Sequence, residues 1–422
     1  MKRTHCIVCE DRLETDTVLV GAQYPSAVFA DATDDYRQYL EASSLNLTQC
    51  SNNSCTLVQL SSDYNLDMVF KNYPYLSGTT ATMKGILKDV VNDGTQISKP
   101  GAGDVVLDIG GNDGTMLSYL DVDVGHKVNI DAAQGVESVG VEGNYQRVEG
   151  IFTADLYRTL SLDNPKLIFS VAMFYHLDTP LAFCKDVASI MDDDSLWVIQ
   201  MTYLGSMLEN NIYDNIVHEH KAYYSIHSLE HVLSLAGLYI CGAKVVQSYG
   251  GSIRVFVGKK KRKIELHDLY QEYEDIKERE VTYGTNTIRA LESFNERIQV
   301  LKSCAYNLVR HASEAGDKLI ALGASTKGNM MCQFSGIDHR LVECVLDNNE
   351  KKIGKIMTGS DIPIVNEDKW LGRLSKYLLV LPYYYLDYFI RIVRENTRAG
   401  DVKYLIVLLP FPKVIEVKGE GG

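Results

Sequence analysis

The sequence predicts an α/β fold: two Rossmann-like units in series, preceded by a small cysteine-bearing module. Three observations predict it. Apolar strands alternate with helical stretches twice along the chain. Each run opens on a strand, a glycine turn and a helix, "DVVLDIGGNDGT" and "DKLIALGASTKGN". The cysteines near the start fall in two closely spaced pairs, "CIVC" and "CSNNSC".

Those pairs come first. Cys6 and Cys9 are separated by two residues, Cys50 and Cys55 by four. Both loops are short enough to fold onto one ion, and two such knuckles make a tetrahedral thiolate site of the zinc-ribbon kind. Its role is structural, because four sulfurs leave no position for water. A redox CxxC belongs after a strand in a thioredoxin-like unit, and no such unit is evident.

Next, "YPYLSG" is a loop rich in hydroxyls and aromatics, followed from Thr80 by a helix with Met83, Ile86, Leu87, Val90 and Val91 on one face. From Asp104 the strands are "DVVLDIG", "KVNIDAA", "PKLIFSVAMFYHL" and "SLWVIQMTYL", with "GSIRVFVGKK" as a late edge strand. Strands separated by helices imply right-handed crossovers and a parallel sheet covered on both faces. Ligands on such sheets sit at the carboxyl ends of the strands. Lys259 to His311 is charged and helical and reads as a solvated connector. A second, smaller strand–helix alternation follows. The domains are placed at 1–62 (zinc module), 63–260, 261–311 (helical connector) and 312–422.

Composition bounds the function. The chain has 422 residues, 45% of them hydrophobic, enough for two or three domains with real cores. No apolar run of about eighteen residues is present, so no membrane span or membrane partner is expected. A net charge of −13 argues against a nucleic-acid partner. Nine cysteines, an odd number, and no apolar leader at the start suggest a reducing, cytoplasmic setting.

The first glycine loop runs Asp108-Ile109-Gly110-Gly111-Asn112-Asp113-Gly114. It lacks the G-x-G-x-x-G spacing that lets a pyrophosphate reach a helix N-terminus. An acid ends the strand instead. That acid repels a diphosphate and attracts a sulfonium and an ammonium, so Asp108, Gly110, Asn112 and Gly114 suit S-adenosylmethionine. Asp131, about twenty residues on at the end of the second strand, is placed to accept from ribose hydroxyls. The second loop, Gly323 to Gly328, bares backbone N–H groups at a helix start and adds the charge of Lys327, which suits a phosphate. Asp347, ending the next strand, is a candidate for a ribose or sugar hydroxyl.

In "NIYDNIVHEHKAYYS", two histidines flank a glutamate. A catalytic metal needs a third ligand, and none lies near in sequence. The acid/base reading fits better. An imidazole titrates near neutrality, so His220 is the candidate general base, with Glu219 binding hydroxyls or orienting the ring.

Taken together, CxxC…Cx4C, "YPYLSG", "VLDIGGNDGT", "YHLDTP", "YDNIVHEHKAYYS", "GGSIRVFV", "GASTKGN" and "VLDNNEKKIGK" resemble the S-adenosylmethionine-dependent nucleotide-sugar C-methyltransferases, which make branched deoxysugars. The resemblance spans nearly the whole chain. It implies a class I methyltransferase domain between a zinc module and a C-terminal domain that helps hold the nucleotide sugar. It implies methylation at C3 of a nucleotide-linked 4-keto-6-deoxysugar, dTDP-linked or else GDP- or CDP-linked, by a monomer or homodimer. Glu219 and His220 map to the active site, His176 to a histidine after the third methyltransferase strand, and Tyr75, with Tyr73 beside it, to the tyrosine of the Y-x-S loop. Histidine and tyrosine there are expected to donate to an enolate oxygen. Two departures stand out. Val217 replaces a tyrosine, and Gln200 replaces an acid. A nicotinamide-dependent nucleotide-sugar oxidoreductase and an inactive nucleotide-sugar or zinc scaffold are the alternatives.

Overall fold

The computed structural model describes residues 2–64, 76–133, 145–264, 266–316, 318–370 and 374–420. Two open sheets organise them. The first holds β1 (Val105–Ile109), β2 (His126–Asp131), β3 (Gln146–Glu149), β4 (Leu167–Val171), β5 (Leu196–Thr202), β6 (Tyr239–Val246) and β7 (Ser252–Gly258). Their spatial order is β3-β2-β1-β4-β5-β7-β6. All pairs are parallel except those made by β7, which runs antiparallel to both β5 and β6. The order reverses beside β1, so the crevice for a ligand opens at the carboxyl ends of β1 and β4.

The central strands are apolar on both faces because both faces are covered. Every residue of β1 is buried. On one face, helix Ala81–Ser98 packs Met83, Leu87, Val90 and Val91 against Val106, Phe169 and Val198. Thr80 caps this helix by accepting from Met83 N–H (3.2 Å). Gly94 lets it lie close, since a Cβ there would stand 2.7 Å from the Phe169 ring.

β7 is not the edge strand expected. All seven of its residues are buried, and β6 lies outside it. Its Arg254 is 1% exposed and bonds Gln200 Oε1 (2.7 Å), Asp89 (2.8 Å) and Asp93. The guanidinium already has two carboxylates. A third acid at position 200 would add uncompensated buried charge, so a neutral glutamine fits where an acid was expected.

The second sheet holds β8 (Leu319–Leu322), β9 (Val342–Asp347), β10 (Lys355–Met357), β11 (Ile362–Asn366), β12 (Tyr377–Val380), β13 (Val402–Val407) and β14 (Lys413–Lys418). Strands β11-β9-β8-β12-β13 are parallel, and β10 and β14 add antiparallel flanks. The connector is more than a solvated spacer. Helix Ile288–Glu314 buries Leu291, Phe294, Ile298, Leu301, Ala305, Val309 and Ala312, a stripe at helical spacing that packs into the core of this second unit.

The first 62 residues do not form a separate body. Cys6, Val8, Cys50, Cys55 and Leu57 belong to the core of the first unit. The strand Phe29–Asp31 pairs with β10 and extends the second sheet. This segment therefore straps the two units together. Among the described residues, no helix is long and apolar enough to cross a membrane.

Candidate active site

The four sulfurs of Cys6, Cys9, Cys50 and Cys55 lie within 4.8 Å of one another. Zinc–sulfur bonds of about 2.3 Å place tetrahedral thiolates roughly 3.8 Å apart. Cys6 and Cys55 stand at 3.8 Å, Cys9 and Cys50 at 3.4 Å. The residues therefore fit a closed, structural zinc site. Among the described residues this is the only group spaced to hold a metal ion.

A hydrogen-bond ladder leads from this cluster to the His-Glu-His run. Cys50 N–H donates to Leu57 carbonyl (2.9 Å). Strand Val58–Leu60 pairs with Ala222–Tyr223, just past His220. Leu60 N–H donates to Lys221 carbonyl (3.0 Å), and Lys221 N–H to Tyr175 carbonyl (2.8 Å). Backbone hydrogen bonds thus run continuously from the cysteine cluster to the segment that carries His220.

The first glycine loop folds as a tight cradle beyond β1. Gly110 has φ +75°, and a Cβ on Gly111 would meet Asp108 Oδ2 at 2.2 Å, so only glycine lets the backbone pass the carboxylate. Asp131 does more than wait for a ribose. Its two oxygens accept from Asn112 N–H and Ala133 N–H, each at 2.7 Å, and fix the loop. Arg147 braces the same turn through the Asn112 (2.5 Å) and Ala133 (2.9 Å) carbonyls. Gly114, at φ +77°, opens the short helix Thr115–Ser118. Asp108 is 1% exposed, and its Oδ2 has no partner among the described residues. Burial pushes its carboxyl well above the usual range, and the charges of Asp131 and Asp113 push it further. A buried, unpaired carboxylate facing two others is what a cationic cofactor neutralises. The residues present fit S-adenosylmethionine and not a diphosphate.

His220 and His176 come together, ring centroids 5.4 Å apart, with Tyr175 against both at 4.2 and 4.5 Å. Phe174, buried against Trp197 and Tyr224, anchors the turn that carries His176; such a ring contributes roughly 1.5–3 kcal/mol by burial. His220 Nδ1 lies 2.8 Å from Asn215 carbonyl. A carbonyl only accepts, so Nδ1 carries the proton and Nε2 the lone pair. His176 is engaged differently from the expectation that it donates to a ligand. Its Nδ1 sits 2.6 Å from Glu219 carbonyl. It braces β4's loop to the His-Glu-His run. Burial lowers His176 to about 4 and His220 well below its ordinary value, the latter helped by the charges of His176 and Lys327. Burial raises Glu219 to about 7. His218 turns the other way, edge-on to Tyr64 at 4.8 Å. The two histidines therefore diverge rather than chelate.

The second unit closes the other side. Gly323 has φ +78°, and Asp347 repeats the role of Asp131: its oxygens accept from Ala324 N–H (2.9 Å) and Asn349 N–H (2.8 Å). Lys352 adds a contact to Asp347 at 3.6 Å. Asp347 is thus a loop-builder before it is a hydroxyl ligand. Lys327 leaves the glycine loop altogether. Its Nζ donates to Tyr249 carbonyl in the first unit (3.2 Å), between the rings of Tyr249 and Tyr384. Val217 faces apolar residues of this junction and is 1% exposed. Tyr73 and Tyr75 lie outside the described residues.

The residue reading missed Asp214 and Asn215, although both stand in the quoted "YDNIVHEH" run. Asp214 is fully buried with neither oxygen partnered among the described residues, and Asn215 Oδ1, Glu219 Oε2 and Tyr383 OH share that state. An unmade buried hydrogen bond costs about 1–3 kcal/mol, so such a concentration marks a surface shaped for a polar ligand.

This crevice, with its acid-ended first strand, defines an S-adenosylmethionine-dependent methyltransferase. The family model of a methyltransferase domain matches residues 83–241, and that of a C-methyltransferase C-terminal domain matches residues 247–410. The two matches follow one another along the chain, from residue 83 to residue 410. The C-methyltransferase NovU of Streptomyces niveus is 25% identical over 366 residues, which cover 86% of each chain. Among solved structures, an S-adenosylmethionine-dependent methyltransferase from Clostridium acetobutylicum superposes with a TM-score of 0.34 at 13% identity, over 43% of this chain and 92% of its own. The plantazolicin methyltransferase BamL does so with 0.33 at 13% identity, over 43% and 87%.

Proposed function

We propose that this enzyme methylates C3 of a nucleotide-linked 4-keto-6-deoxysugar, most simply a dTDP-sugar, in the making of a branched deoxysugar. The observation that carries this reading is the buried His220, its Nδ1 held by the Asn215 carbonyl and its Nε2 left basic, next in sequence to Glu219, whose Oε2 has no partner among the described residues. A heteroatom acceptor needs little proton machinery. A carbon acceptor must first lose a proton.

His220 Nε2 takes the proton beside the ketone. The C–H electron pair moves into a C=C bond, and the carbonyl oxygen gains the negative charge. S-adenosylmethionine supplies the electrophilic methyl: a carbon–carbon bond forms as the carbon–sulfur bond breaks. The low proton affinity of the resting His220 keeps it unprotonated and ready. The imidazolium that forms is then stabilised by Glu219 and by the new enolate charge. Tyr73 and Tyr75, by resemblance, complete the sugar pocket, and the second unit holds the nucleotide. The zinc site keeps the His220 segment in place and takes no part in bond making.

Mass spectrometry of dTDP-, GDP- and CDP-linked 4-keto-6-deoxysugars incubated with enzyme and S-adenosylmethionine tests this. One of them gains a methyl group. If none does, while O- or N-nucleophiles are methylated, the reading is wrong.

A further inference from the structure

Three features of the junction are unused by the chemistry above. Asp214 has no exposure and no partner for either oxygen among the described residues. It precedes Asn215, whose carbonyl fixes His220. Helix Thr326–Ser335 of the second unit packs against this Tyr213–Asn215 turn and delivers Lys327 at its first turn. The Lys327 ammonium spends one donor on Tyr249 carbonyl and lies 5.8 and 5.7 Å from the Tyr249 and Tyr384 ring centres.

A lysine that only bound a surface phosphate would extend along its own helix N-terminus. This one crosses to the other unit. Its charge is felt by both Asp214 and His220. His176 spends its Nδ1 proton on the Glu219 carbonyl, which leaves the neutral ring no N–H for the enolate oxygen. Resting on the reading just given, we infer that Lys327 is the catalytic group that donates to the ketone oxygen of the sugar, while Asp214 accepts from the polar substituent on the neighbouring carbon. The two together form a clamp on adjacent oxygenated carbons, one jaw from each unit. Deprotonation places the new negative charge on the oxygen facing the ammonium, where a preorganised cation is worth most. Burial lowers the lysine and raises the carboxyl, and the attraction between the two offsets part of each effect.

The clamp explains why the second unit is fused to the first: the site is incomplete without it. It also sets specificity. A ketosugar bearing a hydroxyl or amine beside the ketone fills both jaws, and one lacking that group leaves Asp214 buried and unpaired.

The test reads proton loss separately from methyl transfer. Enzyme and ketosugar are incubated in deuterium oxide with adenosylhomocysteine, and deuterium entering the carbon beside the ketone is followed by NMR. Lys327→Met is expected to slow exchange by roughly 10²–10³-fold with binding of S-adenosylmethionine unchanged by calorimetry. Lys327→Arg restores part of the rate. Asp214→Asn raises KM more than it lowers kcat, and this penalty shrinks for a sugar without the adjacent polar group. Exchange in Lys327→Met within threefold of the unaltered enzyme overturns the assignment while leaving the proposed function standing. Absence of exchange in the unaltered enzyme with every nucleotide sugar offered overturns both.

Discussion

His220 Nδ1 donates to the carbonyl of Asn215 at 2.8 Å, five residues back along the same loop. That single bond decides the tautomer and leaves Nε2 as the only basic nitrogen of the ring. His220→Ala is therefore expected to lose about 10²–10⁴-fold in turnover, while S-adenosylmethionine still binds. His220→Gln, which keeps some bulk without basicity, does no better. A methylation assay paired with calorimetry checks both, and turnover within tenfold of the unaltered enzyme removes His220 from the chemistry.

The pH profile separates the two acid/base groups. Burial raises Glu219 to about 7, so its carboxylate is lost as pH falls through that value. His220 is already neutral there and stays so well below its ordinary value. The acid limb of kcat/KM is therefore expected near pH 7 and belongs to Glu219, which must be ionised to support the imidazolium. Glu219→Gln lowers the rate and flattens that limb between pH 6 and 8. A limb that persists unchanged in the glutamine variant contradicts the assignment.

Much of this site is legible in the residues, and the reasons differ from part to part. The cysteine cluster is legible because metal-binding knuckles take short, fixed spacings such as those of Cys6–Cys9 and Cys50–Cys55. The glycine loop is legible because only glycine permits the passage beside Asp108. The direction of a long side chain is not. Lys327 reads as a phosphate ligand from its place after a glycine turn, and only the packing of helix Thr326–Ser335 on Tyr213–Asn215 sends it to Tyr249. The double duty of Asp131 and Asp347 is hidden too, since a strand-end acid looks the same whether it holds a loop or a sugar. Strand β7 reads as an edge because its outer neighbour, Tyr239–Val246, contains Gly242 and a register shift there. The buried stripe of helix Ile288–Glu314 is masked by the charges around it.

Metal removal acts at a distance. The ladder from Cys50 through Leu57 and Val58–Leu60 reaches Ala222, two residues from His220. Chelation, or Cys55→Ser, is expected to lower the unfolding midpoint and to abolish turnover together. Hydrogen exchange of the Leu60 and Lys221 amides rises before that of β1 amides. Full activity in metal-free protein, verified by elemental analysis, contradicts a structural zinc.

Asp108 ties cofactor binding to proton release. Its carboxyl is raised well above the usual range by burial and by Asp131 and Asp113, and a cation bound beside it favours the ionised form. Binding of S-adenosylmethionine is expected to release protons, read by calorimetry in buffers of different ionisation enthalpy. Asp108→Asn abolishes that release and weakens binding by about tenfold or more, the order of one charge-assisted contact. Equal affinity and equal proton release in the variant remove Asp108 from the cofactor site.

In the proposed reaction, the crevice beyond Asp108 and the His-Glu-His junction serve one step, carbon methylation of a nucleotide ketosugar. Incubation with S-adenosylmethionine carrying an isotope-labelled methyl group and a dTDP-linked 4-keto-6-deoxysugar, followed by NMR of the product, tests it directly. The labelled carbon is expected bonded to C3 of the sugar. Label on an oxygen or nitrogen, or label remaining wholly on the sulfur compound with every ketosugar offered, contradicts it.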